Sequence, residues 1–184
     1  LLFLVKYIDK NDEIIVQCDK GNTTPEVYKV LDSFRAPVGL KNPLKVIEFP
    51  LRGDFSSFKN NLKSHCTKEW IFQIDADELP NKFLIENLKE VLKLNPTIEI
   101  FMVPRVNTVK DITREHINKW RWNINEKGWV NWPDYQTRIL QNNSKIKWGG
   151  KVHEVLLGHD SYSPLPQEEE WCIYHHKHIL RQEA

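Results

Sequence analysis

An α/β fold built on a mainly parallel sheet is the class this sequence predicts, on three observations. Between residues 12 and 107, short apolar runs alternate with helix-spaced amphipathic segments, in the order strand, helix, strand, helix, strand, helix, strand. The apolar runs are continuous, as in strands covered by helices on both faces. Two of them, IIVQC (14–18) and WIFQI (70–74), end directly on Asp19 and Asp75. Carboxylates are costly to bury, so these acids are expected at the open carboxyl ends of the strands, where such sheets bind ligands.

Each element has a local reason. Residues 1–8 are apolar and read as the tail of a helix or a lone strand. The run 14–18 is a buried strand, followed by the turn-forming KGNTT. Pro25 and Glu26 suit a first helical turn with Thr24 as cap, and Val27, Val30, Leu31 and Phe34 keep helical spacing. After a Pro- and Gly-containing loop, LKVIEF (44–49) is a third apolar run. Asp54 starts a helix with Phe55, Phe58, Leu62 and Cys66 on one face. The strand at 70–74 follows, and Pro80 is read as opening a helix with Phe83, Leu84, Leu88, Val91 and Leu92 inward. IEIFMV (98–103) is a strand ended by Pro104. Beyond residue 108 the pattern changes. Residues 111–122 read as helical, NEKGWVNWPDYQ (125–136) as an aromatic loop, 136–140 and 145–151 as short strands, and WCIYHHKH as a last strand.

The bulk properties fit one domain of 184 residues with a real core. A net charge of +1 gives no electrostatic sign of nucleic acid. No apolar run approaches the ~20 residues of a membrane span. Cys18, Cys66 and Cys172 are odd in number and widely spaced, which reads as free thiols in a reducing compartment, so a cytoplasmic location is expected, with contact to a membrane face left open.

The chemistry concentrates at Asp75, Asp77 and Glu78, three carboxylates within four residues. Oxygen ligands so close together suit a hard cation, Mg²⁺ or Mn²⁺, shared with substrate phosphates. A solvated acidic turn is the plainer alternative. A helix-loop-helix calcium site is excluded, because the segment offers Pro80 where that loop needs Gly. An aspartyl-nucleophile phosphatase would want a hydroxyl residue where Leu79 and Pro80 stand. A two-carboxylate glycosidase stays open, since its second acid has no fixed spacing.

Four ordered blocks carry a family resemblance. IIVQCDKGNTTPEV resembles the segment of inverting family-2 glycosyltransferases in which a strand ends on a nucleotide-binding Asp. DFSSFKNNLKSHCTKEWIFQIDADE resembles their helix and strand leading to a DxD motif. WPDYQTRIL and WGGKVHEVL resemble paired segments of bacterial and viral members of the lipopolysaccharide-core type. The resemblance covers roughly residues 10–178 and implies a GT-A fold, a single domain over 1–184 with a nucleotide-sugar half (1–107) and an acceptor half (108–184), and a small antiparallel C-terminal portion.

It also implies roles. Asp19 would contact the base or ribose, with Asn22 and Thr23 in its loop, and Arg52 or Lys59 would help hold the nucleotide. Asp75 would face the ribose or the metal, and Asp77 would ligate Mn²⁺ or Mg²⁺. Glu154 is the expected base, with Asp134 as second choice and His153 beside it. His176 is the expected extra metal or diphosphate ligand among His175, His176 and His178. On a period-two strand His176 and His178 face one way and His175 the other. Trp129 and Trp132 are expected to stack on an acceptor sugar or to cap the core. The donor would be a nucleotide-diphosphate sugar, UDP-linked by preference, and the acceptor a glycan or lipid-linked saccharide. A glycan-binding module and a metal-dependent hydrolase are the rival functions. The family's opening strand is not visible in residues 1–8, so the expectation is either that it is missing from this sequence or that residues 1–8 play a different part.

Overall fold

The computed structural model describes residues 1–34 and 44–180. The loop expected at 35–43 lies outside the described residues. In chain order the elements are α1 (Leu2–Tyr7), β1 (Ile15–Asp19), α2 (Pro25–Ser33), β2 (Lys45–Phe49), α3 (Phe55–Ser64), β3 (Trp70–Phe72), β4 (Glu78–Pro80), α4 (Lys82–Leu94), β5 (Ile100–Lys110), α5 (Arg114–Trp120), β6 (Val130–Gln141), β7 (Lys147–Gly149), β8 (Val155–Leu157), β9 (Tyr162–Pro164), a 3₁₀ turn (Glu169–Trp171) and β10 (Ile173–His178). They form two compact units, residues 1–71 with 140–160, and residues 72–139 with 161–184. The division anticipated at 107 would cut through β5.

In the first unit β1 and β2 pair in parallel, Ile15 opposite Lys45 through Asp19 opposite Phe49. Cys18, Leu31 and Leu44 form its core, with Val16, Tyr28 and Val46 packed on them. Asp54 caps α3 by accepting from the Ser57 N–H at 2.9 Å, the usual device for an orphan donor at a helix start. Gln17 on β1 ties this helix down, donating to the Phe58 carbonyl at 2.6 Å and accepting from Asn61 at 2.7 Å. Strands β7 and β8 make an antiparallel hairpin. Asn60 of α3 holds it by donating to the Trp148 carbonyl and accepting from the Trp148 N–H. Gly158 follows at φ +82°, where an added Cβ would sit 2.0 Å from the Lys145 carbonyl oxygen, so only glycine fits.

In the second unit the sheet runs β6-β5-β10-β4, with β9 also on β5. Strands β5 and β10 are parallel, as are β5 and β9, while β10 and β4 are antiparallel. Val106, Trp129 and Cys172 form one part of its core, and Val109, Val130 and Ile179 another.

Three expectations need correction here. Pro104 does not end its strand; β5 runs on to Lys110. The β9 ladder stops at Met102 and the β10 ladder starts at Arg105, so the missing N–H of Pro104 falls between the two and interrupts neither. Pro80 does not open α4. It closes β4, an edge strand that tolerates proline, and Asn81 caps the helix by accepting from the Phe83 N–H at 2.9 Å. The aromatic segment read as a loop is mostly strand, since β6 begins at Val130 and includes the cis Trp132–Pro133 bond. Asn131, Pro133 and Asp134 break the period of two and masked it, and β6 is part buried along its first half. Residues 1–8 resolve as the helix α1.

Candidate active site

In the second unit the acidic turn is set by two arginines, Arg138 buried and Arg105 part-buried. Arg138, on β6 and 4% exposed, donates from Nη2 to Asp75 at 2.6 Å and to Glu78 at 2.5 Å. Arg105, on β5, donates to Glu78 at 3.1 Å and to Asp134 at 2.6 Å. The Glu78 side chain is fully buried, and it also accepts from the Asp75 N–H at 3.1 Å, closing the turn on itself. Two cations around one buried carboxylate supply the compensation that a buried charge requires. Burial pulls the Arg138 guanidinium down, but the charges of Asp75 and Glu78 outweigh this and hold it above its ordinary value.

Asp134 accepts four N–H groups, two from Arg105 and one each from Asn107 and Gln136. Burial raises its carboxyl, yet the bonds from Asn107 and Arg105 and the Arg105 charge leave it below the usual carboxylate range. A depressed folded pKa contributes stability above the unfolded value of about 3.9, lost as pH falls through the folded one. Acid melting curves should therefore fall off below about pH 4, and Asp134→Asn should flatten that decline while lowering stability at pH 7.

The next link is His175 on β10. Its Nδ1 lies 3.0 Å from the Asn107 Oδ1 and its Nε2 lies 3.4 Å from the Asp77 Oδ2. Burial holds the imidazole below its usual pKa, with Lys177 and Arg105 adding to this and Asp77 and Glu78 opposing it. Asp77 is 51% exposed, so this acid stands at the solvent edge while Glu78 is interior.

The first unit holds Asp19, Asn22, Thr23, Arg52, Lys59, His153 and Glu154. Asp19 ends β1 and accepts from the Leu51 N–H at 2.9 Å and from the Asn22 side chain at 2.8 Å, while Thr23 donates to the Asp19 carbonyl at 3.0 Å. Arg52 is exposed in a turn at φ 47°. Lys59 pairs with Glu154 and lies 4.3 Å from the Trp148 ring centre. Glu154 closes the β7–β8 loop, next to His153 at φ 57°, and the loop is clipped to α3 by the Phe55 N–H donating to the Lys151 carbonyl at 3.0 Å.

Comparison with known proteins gives this geometry its setting. The model for "Glycosyl transferase family 2" matches residues 2–152, most of the chain. The chain belongs to glycosyl transferase family 2. Its sheet and helices are accordingly those of a GT-A fold, with the β7–β8 pair as a small separate antiparallel sheet. It is 27% identical over 124 residues, 67% of the chain, to "SPbeta prophage-derived glycosyltransferase SunS" of Bacillus subtilis and to "Glycosyltransferase SunS" of Bacillus phage SPbeta. It is 30% identical over 82 residues, 44% of the chain, to an "Uncharacterized glycosyltransferase" of Haemophilus influenzae. These alignments cover 25% and 29% of the relatives' own lengths, so the chain spans about a quarter of them. The family match ends at residue 152, before the strand that carries His175.

Within this family setting, several expected residues sit differently from the sequence reading. His175, not His176, faces Asp77; His176 bonds Thr108 at 2.6 Å and stacks on Tyr174. Trp129 is 9% exposed, packed with Val106 and Cys172 and edge-on to Trp132, so of its two expected roles it takes that of capping the core. Trp132 is half-buried. Asp134 is engaged by four N–H donors, three of them on Oδ2. Sequence reasoning missed Arg105, Arg138 and Asn107 altogether. The one available signal was that a carboxylate following a buried strand needs a cation somewhere. Among the described residues no three His, Cys, Asp or Glu side chains converge as a complete metal cage, and no helix is long and apolar enough to cross a membrane.

Proposed function

We propose that this chain transfers a sugar from a nucleotide-diphosphate donor, a UDP-sugar, to a hydroxyl of a glycan or lipid-linked saccharide, with inversion and with Mn²⁺ or Mg²⁺. The observation that carries the reading is the half-exposed Asp77 carboxylate beside the buried His175 Nε2, in a family 2 chain. Asp77 and His175 would hold the cation together with the substrate's phosphates. The imidazole tips this donor set toward Mn²⁺ over the harder Mg²⁺. When bound, the cation supplies charge stabilisation for the departing diphosphate. Asp75, held by Arg138, is proposed to face the ribose, and Asp19 with its Asn22–Thr23 loop to receive the nucleoside. Lys59 is engaged by Glu154, which leaves Arg52 as the proposed cation for the nucleotide.

Asp134 makes a poor base, because three donors converge on its Oδ2, a fourth bonds Oδ1, and its carboxyl is held low. Glu154 has one side-chain partner and is proposed to take the acceptor proton, with His153 beside it. The test is titration calorimetry of UDP with Mn²⁺ and then EDTA, paired with transfer assays. UDP binding is expected to need the metal. Glu154→Gln is expected to bind UDP as the native chain does and to transfer sugar ~10²-fold or more slowly. Native transfer by Glu154→Gln would remove it as the base. Glycan binding indifferent to EDTA and nucleotide would replace the transferase reading with that of a binding module.

A further inference from the structure

The hydrogen-bond directions around His175 can be assigned from one end to the other. Asp134 is flanked by Arg105, which donates to it through both Nε and Nη2. An ionised carboxylate only accepts, so the Asn107 group 2.8 Å away must be the amide NH₂. The other Asn107 atom is then the carbonyl oxygen, and it lies 3.0 Å from His175 Nδ1. A carbonyl oxygen also only accepts, so Nδ1 carries the proton. In the neutral ring Nε2 is left with a lone pair, and it faces the Asp77 Oδ2 at 3.4 Å. Two acceptors set against each other are unfavourable unless a cation lies between or beside them.

We propose that Asn107 is a positioning residue: through the Arg105–Asp134–Asn107 chain it fixes the His175 proton on Nδ1 and presents the Nε2 lone pair beside Asp77. The signal lies outside the acidic motif and outside any pattern near His175 in sequence, since Asn107 is 68 residues from it. Metal-binding imidazoles are commonly oriented in this way by a carbonyl or carboxylate on the other ring nitrogen. The inference deepens the metal reading given above, and only its second readout rests on that reading.

The test uses the whole chain with ¹⁵N-labelled histidine, free of metal, at pH 8. Long-range ¹H–¹⁵N spectra separate the two tautomers, and His175→Gln assigns the His175 signals by their loss. The native chain is expected to show His175 protonated on Nδ1. Asn107→Leu, which removes the acceptor at similar volume, is expected to move the proton to Nε2, where it bonds Asp77. In the presence of UDP, the Mn²⁺ dissociation constant, read from the free-ion electron spin resonance signal, should rise ~10–100-fold in the same variant. A native spectrum with the proton on Nε2 would overturn the proposal, and it decides the point even if Asn107→Leu fails to fold. An unchanged tautomer in a folded Asn107→Leu would overturn it too. The expected tautomers with no Mn²⁺ binding by the native chain would sink the metal reading and leave the positioning role standing.

Discussion

Asp77→Asn is expected to cut sugar transfer by about 10³-fold while leaving the melting temperature within about 2 °C of the native value. The two halves of this expectation have separate causes. Asp77 is half exposed and its ion-pairing neighbour among the described residues is the imidazole of His175, neutral at pH 7, so little folding energy depends on its charge. Asn has the same size and can donate to the His175 Nε2, which keeps the turn satisfied. The charge, however, is what the proposed cation needs, and removing one preorganised electrostatic contact at a developing anion costs about 10²–10³-fold or more in rate. Transfer assays across a Mn²⁺ series, with thermal melts on the same samples, check both halves. Native transfer by Asp77→Asn would sink the metal assignment. A fall of 10 °C or more would make Asp77 structural instead.

Arg138→Met is expected to do the reverse, by attacking the fold first. It strands the fully buried Glu78 with Arg105 as its one remaining cation and frees Asp75 from the turn. Breaking a buried ion pair from one side costs about 3–5 kcal/mol, because the surviving charge stays desolvated. At roughly 2–4 °C per kcal/mol for a chain of this size, the melting temperature should fall by about 6–20 °C. Adding Glu78→Gln to Arg138→Met should restore part of the loss, since the stranded charge is then gone. If the double variant is no more stable than Arg138→Met, buried charge is not the source of the effect. Transfer should also fall in both, as Asp75 loses its anchor.

The contrast between these two acids explains how the site was read. Asp75, Asp77 and Glu78 appear equivalent in the sequence, three carboxylates after a strand. The structure sends Asp77 to solvent and Glu78 inward, because Arg138 and Arg105 arrive from β6 and β5, 60 and 27 residues away. No local pattern announces a partner at that distance. The histidines show the same limit. The period of two divided His175 from His176 and His178, but the phase, which of the two sets meets Asp77, depends on the pairing of β10 with β5 and β4. Pro80 and Pro104 were misjudged for a related reason. Whether a missing N–H matters depends on the neighbouring strand, which the chain near the proline does not specify.

What the sequence determined by itself was the alternation of strands and helices, the helix start at Asp54, and the end of β1 on an acid at the sheet's carboxyl edge. These follow from periodicity and from bonds spanning a few residues, and neighbouring residues suffice to fix them. Only the tertiary structure decided which carboxylate is exposed, which imidazole faces Asp77, and that Trp129 is core. Each of those depends on desolvation and on directional bonds to groups distant in the chain, and both exist only once the strands have paired.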